Sequence, residues 1–159
     1  MKMEENKETK AVIIKMAKYC AYQDRCRKEV YNKLYDLLPD IVEQDIVVDY
    51  LIKENYLDEV RYTRSIVRGK FFHKHWGKIK IIHFLNQKDI DSYLTEQTIA
   101  NEITNQDYYQ KVADLVKSRF QTTKGANDFE IKQKIIKSLF QKGYDSSIVI
   151  EVIDDLQED

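Results

Sequence analysis

Residues 78–99, KIKIIHFLNQKDIDSYLTEQTI, align without a gap on residues 132–153, KQKIIKSLFQKGYDSSIVIEVI, and ten of the 22 positions are identical. One chain therefore carries the same unit twice, 54 residues apart. Self-similarity at such a period marks a tandem array, in which each unit buries apolar surface within itself and against its neighbour. The unit extends upstream. SIVRGKF (65–71) matches DLVKSRF (114–120), with Val67/Val116 and Phe71/Phe120 identical, and Asp58 and Asp107 precede the two runs at equivalent places. A fainter third copy lies at the start: Arg27, Val30, Tyr31 and Leu34 match Lys78, Ile81, Ile82 and Leu85. After a three-residue insertion containing Pro39, Ile46 and Leu51 match Leu94 and Ile99. Leu34, Leu85 and Leu139 mark three units, spaced by 51 and 54 residues.

Apolar residues recur at helical spacing along nearly the whole chain. Only four Gly and one Pro occur, which argues against a many-turned β fold. The fold expected is all-α, an elongated curved array of three tandem three-helix modules with about nine helices. The boundaries expected are a flexible N-terminus over 1–8 and modules over 9–57, 58–104 and 105–159. Ile13, Ile14, Ala17 and Ala21 share one face of a first helix. Asp24 is the expected N-cap of the second. The third covers roughly 43–55 with Ile46, Val47, Tyr50 and Leu51 inward, closed by Asn55, which tolerates a left-handed cap. Asp58 starts the fourth helix, Gly77 precedes the fifth, Asp89 or Asp91 the sixth and Asp107 the seventh. The eighth runs from near Asp128 to Gly143, and Asp145 starts the ninth. The loop QTTKGAND (121–128) is long enough to let the third module shift relative to the second.

An apolar fraction of 43% supplies packed cores. No apolar run is long enough to span a bilayer, and MKMEENKE (1–8) lacks the apolar core of a signal peptide. Two cysteines are no disulfide framework, so a reducing cytoplasm is the expected setting. Cys20, Cys26, His73 and His75 lack the spacing of a zinc site, and no metal or other cofactor is expected. No phosphate-cradling glycine loop or nucleophile elbow occurs, and adjacent carboxylates such as Asp154 and Asp155 point apart on a helix. The chain does not read as an enzyme.

The net charge of −1 hides strong segregation. Residues 36–59 hold eight acids and one base, whereas residues 60–88 hold eight bases, all three histidines and no acid. Residues 117–142 hold seven bases and two acids, and residues 145–159 six acids and no base. Local fields therefore decide partners more than the whole-chain charge does. Arg61, Arg64 and Arg68 fall on one face of the fourth helix. Lys70, Lys74, Lys78 and Lys80 follow, interleaved with Phe71, Phe72 and Trp76. Such a run is either a solvated face over core aromatics or a contact surface for a polyanion or an acidic protein groove. Lys132, Lys134 and Lys137, on the equivalent helix of the next module, extend the strip. Trp76 is placed either to stack on a base or to plug a module junction.

Tyr56-Leu57-Asp58-Glu59-Val60-Arg61-Tyr62 resembles the G-Y-L-D-D-x-R-F-A signature of the RecX family of bacterial recombination regulators. Arg25-Cys26-Arg27-Lys28-Glu29-Val30 resembles that family's R-S-x-x-E-L run. Trp76-Gly77 is similar to its second-module opening and Lys142-Gly143-Tyr144 to its K-G-[FY]. The resemblance covers roughly residues 11–156. Asn55 stands where the signature has Gly, Thr63 replaces Ala, Asp89 replaces the Gly of the second K-G, and Cys26 takes a Ser position. The resemblance implies a structural signature of Leu57, Asp58, Arg61, Tyr62, Gly77 and Gly143. It implies a non-catalytic modulator of the RecA recombinase, lying in the groove of the RecA–single-stranded DNA filament and limiting its extension, ATP hydrolysis and strand exchange in recombination, repair and the SOS response. The three-module array is expected to be a monomer, and with no spanning apolar run no membrane partner is expected. The alternative from the residues alone is an autonomous helical DNA- or RNA-binding module using residues 60–88.

Overall fold

In the computed structural model, residues 7–158 are described, and they form nine α-helices with no strand. The helices are α1 (Lys7–Tyr22), α2 (Arg27–Leu37), α3 (Ile41–Lys53), α4 (Glu59–Arg68), α5 (Lys78–Gln87), α6 (Ser92–Glu102), α7 (Asn105–Thr122), α8 (Asp128–Gln141) and α9 (Ser146–Glu158). Of the segment 1–8 expected to be flexible, residues 1–6 lie outside the described residues, while Lys7 and Glu8 are already helical.

Three three-helix units follow one another. In each, the first helix packs on the third, as α1 on α3, α4 on α6 and α7 on α9. The repeat explains why. Leu34, Leu85 and Leu139 are all fully buried, and so are Val30, Ile81 and Ile135 one turn earlier. Identical inward positions on α2, α5 and α8 thus give each unit the same apolar centre. Two cores result. One belongs to the first unit, around Met16, Leu34 and Leu51. The other runs through the second and third units together, from Phe71 and Leu85 to Leu139 and Tyr144, and takes in Cys26 from the first.

The caps depart from expectation at several ends. Asp58 caps α4 as expected, accepting from the Arg61 N–H at 3.1 Å. Asp91, not Asp89, caps α6. Asp24 does not cap α2; Cys26 does, in a reciprocal pair with Glu29, whose carboxylate accepts the Cys26 N–H at 3.1 Å. Asp24 is drawn to Arg61 instead. Asp107 does not start α7. Thr104 does, with Asp107 three residues on returning a hydrogen bond to its N–H. Asn127 caps α8 and Asp145 accepts from Ser147 at the start of α9. Asn55 and Asp89 hold positive φ of 65° and 57°. Asp89 occupies the place Gly143 has in the next unit, and an aspartate tolerates that backbone better than most side chains.

Two other expectations are corrected. Tyr50 faces solvent, and Gln44 and Val48 are buried on α3 instead. Gln44 is admitted because its side-chain amide donates to the Leu38 carbonyl at 2.6 Å. The loop 121–128 joins α7 to α8 inside the third unit, so it cannot let that unit shift as a whole. It is also tied down: Lys134 donates to the Lys124 carbonyl at 2.7 Å and the Ala126 N–H to Glu130 at 3.1 Å. No described helix is long and apolar enough to cross a membrane.

Candidate polyanion interface

The basic run 60–88 divides once it is folded. Arg61 turns to the joint between the first two units. Its Nε donates to Asp24 at 2.8 Å and its Nη2 to the Asn55 and Tyr56 carbonyls, each at 3.2 Å. Asp58 meanwhile holds the Arg61 backbone N–H. Leu57 and Tyr62, flanking the pair, are buried. Around the same joint Lys28 meets Asp89 at 3.5 Å and Lys88 meets Glu29 at 3.7 Å.

Arg64 and Arg68 point the other way and share one acid. Glu102, at the end of α6, takes Arg64 at 3.2 Å and Arg68 at 2.8 Å. The sequence run without acids therefore does not stay without acids in space. Both guanidinium groups remain largely exposed, at 62% and 59%, so a phosphate can compete for them.

Beyond α4 the chain widens into a π turn, Gly69–His73, and then closes on an aromatic pair. Trp76 and Phe84 meet edge to face, with centroids 5.8 Å apart. Lys70 lies 4.6 Å from the Trp76 centroid and 5.1 Å from that of Phe84, and Lys80 lies 4.3 Å from Trp76. These contacts order two ammonium groups on a half-buried aromatic floor. Trp76 packs against the core that joins the second and third units, and its ring is covered by the chain's own lysines. Lys78 lies 4.3 Å from the Tyr108 centroid, and burial lowers the pKa of its ammonium. Lys74 is exposed.

In the third unit Lys132 pairs with Asp128 and Lys134 with Glu130, both at 3.1 Å one helical turn apart. Lys137 is exposed and without an ion pair among the described residues. The candidates are thus of three kinds. Arg64, Arg68, Lys132 and Lys134 are already neutralised, Lys70, Lys78 and Lys80 are held on aromatic rings, and Lys74 and Lys137 are solvated.

Gly77 and Gly143 lie at the joint of the second and third units. The Gly77 N–H donates to the Lys142 carbonyl at 2.8 Å and the Ile79 N–H to the Gly143 carbonyl at 3.0 Å. Tyr144 is fully buried there, stacked on Tyr108 at 5.6 Å, and its hydroxyl donates to the His75 carbonyl at 2.8 Å. Lys111, Arg119 and Lys142 add positive charge at this joint. Sequence reasoning named none of them as contacts. Lys142 carries a signal, since it belongs to the Lys142-Gly143-Tyr144 run.

The four residues weighed as metal ligands are differently placed. Cys20 and Cys26 are buried free thiols, and burial pushes the Cys26 thiol up to about 11. His73 and His75 are exposed in the second unit. No described group of three or more His, Cys, Asp or Glu side chains is arranged to hold a metal ion.

Residues 58–99 match the second three-helix domain of RecX, and residues 106–153 match the third. A protein of Streptococcus agalactiae serotype V named "Regulatory protein RecX" is 28% identical over 141 residues, covering 87% of this chain and 53% of its own length. A Staphylococcus haemolyticus protein of the same name is 29% identical over 139 residues, covering 87% of this chain and 51% of its own. A Vibrio parahaemolyticus protein of that name is 28% identical over 116 residues, covering 73% and 72%. The chain spans about half the length of the streptococcal and staphylococcal relatives. The crystal structure of RecX from Lactobacillus salivarius superposes with a TM-score of 0.86 at 24% identity, covering 96% of this chain and 98% of that one. At that identity the likeness is one of fold.

Proposed function

Because the chain belongs to the RecX family, we propose that it is a non-catalytic regulator that binds the RecA–single-stranded DNA filament. In this reading it restrains the filament's ATPase, extension and strand exchange, acting in the cytoplasm as a monomer.

One observation carries the reading beyond kinship: two stretches of the molecule expose chemically different groups. On the first unit, Tyr35, Ile41 and Val42 are exposed at 76%, 68% and 62%, and so are Asp36, Asp40, Asp45 and Asp49 in the same stretch of chain. Exposed apolar and aromatic groups suit a protein surface, and the carboxylates near them in the chain disfavour a phosphate backbone. On the second unit, Lys70 and Lys80 stand on an aromatic floor, and Lys74, Arg64 and Arg68 are exposed. That surface suits phosphate. A nucleoprotein filament offers both partners at once, whereas naked nucleic acid offers only the second.

The other reading, an autonomous nucleic-acid module, draws on the same lysines. It is weakened because Lys70 and Lys80 already lie against the half-buried Trp76 ring, so a base stacking there has to displace them. Fluorescence anisotropy separates the two. The filament reading expects much tighter binding to RecA–single-stranded DNA than to the same oligonucleotide alone. Equal affinity for both would favour the autonomous module.

A further inference from the structure

Lys80, Arg119 and Lys142 gather positive charge where the second and third units meet, and among the described residues no carboxylate pairs with them. The backbone of Lys80 packs on Gly143, next to Lys142: a Cβ added at Gly143 would fall 2.4 Å from the Lys80 Cβ. Arg119, on α7, is close enough for its charge to act on both Lys142 and the buried Tyr144. Desolvation, then the charges of Arg119 and Lys80, lower the pKa of the Lys142 ammonium. None of the three has an ion pair among the described residues. Asp145, the carboxylate nearest Lys142 in the chain, is turned to the start of α9, where it accepts from the Ser147 N–H and hydroxyl, both at 2.9 Å.

The decisive atom is Arg119 Nε, which is buried and has no hydrogen-bond acceptor. A buried guanidinium N–H without an acceptor is costly, and so is packing like charges together. Native proteins rarely leave either without a partner. Lys80 is meanwhile fixed, its ammonium 4.3 Å from the Trp76 centroid. A tetrahedral oxyanion supplies what the place lacks: negative charge and several acceptors, one of them for a guanidinium N–H.

We propose that Lys80, Arg119 and Lys142 form a phosphate-binding site at the joint between the second and third units. Arg119 and Lys142 lie outside the contact set read from the sequence. The site stands on this chain's own geometry. It rests on the filament reading only for the source of its phosphate, a DNA backbone rather than a free polyphosphate.

The test uses the ¹⁵N-labelled full chain, titrated by NMR with inorganic pyrophosphate and, separately, with a single-stranded oligonucleotide. Amide shifts should concentrate at Lys80, Arg119 and residues 142–144. The double variant Arg119→Gln, Lys142→Gln should lose pyrophosphate affinity by about tenfold or more, as expected for one charge-assisted hydrogen bond. Arg119→Lys, which keeps the charge, should recover part of it. A parallel loss of oligonucleotide affinity identifies a backbone phosphate as the natural ligand. Unchanged oligonucleotide affinity identifies a free polyphosphate; both outcomes uphold the site. Should the double variant lose its helical circular dichroism, Lys142→Gln alone carries the test. Shifts spread evenly over all lysines, or wild-type pyrophosphate binding by the folded variants, overturn the proposal. Neither titration contains a recombinase, so the filament reading and this site fail separately.

Discussion

Gly77 and Gly143 meet backbone to backbone: a Cβ on Gly77 would lie 2.3 Å from the Gly143 carbonyl carbon and oxygen. Gly143 also holds a φ of +98°, and its own Cβ would lie 2.6 Å from the Lys80 nitrogen. The second and third units therefore join through main chain, with two N–H···O bonds across the contact. Only glycine at both places permits that approach.

Gly143→Ala should destabilise the protein by about 1–3 kcal/mol from backbone strain, with further loss from crowding against Lys80. Gly69 is the control, since nothing lies within 4 Å of a Cβ added there and its φ of −65° is helical. Gly69→Ala should be neutral or stabilising by up to about 1 kcal/mol. Urea denaturation measures both. Equal stability of the two variants would contradict the account of the joint.

Truncating the three repeat leucines should cost about 2–5 kcal/mol each, the usual range for a packed leucine. The two cores predict a further difference. Leu34→Ala should raise hydrogen exchange chiefly in α1–α3, because its core belongs to the first unit. Leu85→Ala should raise it from α4 to α9, because the second and third units share a core. Identical exchange patterns for the two variants would contradict a divided core.

Asp58→Ala removes the acceptor of the Arg61 N–H and should cost about 0.5–2 kcal/mol. Asp24→Ala removes only a partly exposed ion-pair partner and leaves Arg61 its two carbonyls, so about 1 kcal/mol or less is expected. Thermal denaturation checks the order. An unchanged melting temperature for Asp58→Ala would refute its capping role.

His75 should titrate below the usual 6.5. Slight desolvation of this exposed ring lowers its pKa first, then the charge of Lys111, whose ammonium lies 2.9 Å from the ring Nδ1, then Lys142 and His73. Because the folded pKa is depressed, the contribution of the neutral ring is fully present above 6.5 and is lost as pH falls through the folded value. In a pH titration by NMR, Lys111→Gln should move the His75 pKa upward without restoring it fully. No movement would mean that the Lys111 contact is not formed in solution.

What was legible in the sequence is what repeats or is local. Leu34, Leu85 and Leu139 stand at equivalent places in copies of one unit, and their burial follows. Asp58, Asp91 and Asn55 act within a few residues of themselves. The departures come from distant partners. Asp24 leaves its helix end because Arg61, 37 residues away, offers a charge-assisted bond. Arg64 and Arg68 lose their independence to Glu102, which lies 34 residues beyond Arg68. The approach of Lys80 to Gly143, beside Lys142, goes with the Gly77–Gly143 contact, which no helical period announces.

The most direct test of the filament reading is ATP turnover by RecA on single-stranded DNA, titrated with this protein and with one variant. The variant combines Arg64→Gln, Arg68→Gln, Lys74→Glu and Lys137→Glu. Glutamine serves at 64 and 68 because glutamate there would face Glu102. These are exposed positions, so the helical fold should persist. The account predicts that wild-type protein lowers turnover and that the variant does so only at much higher concentration, with the wild-type effect weakening as salt rises. Equal inhibition by both proteins, or no inhibition by the wild type, would contradict it.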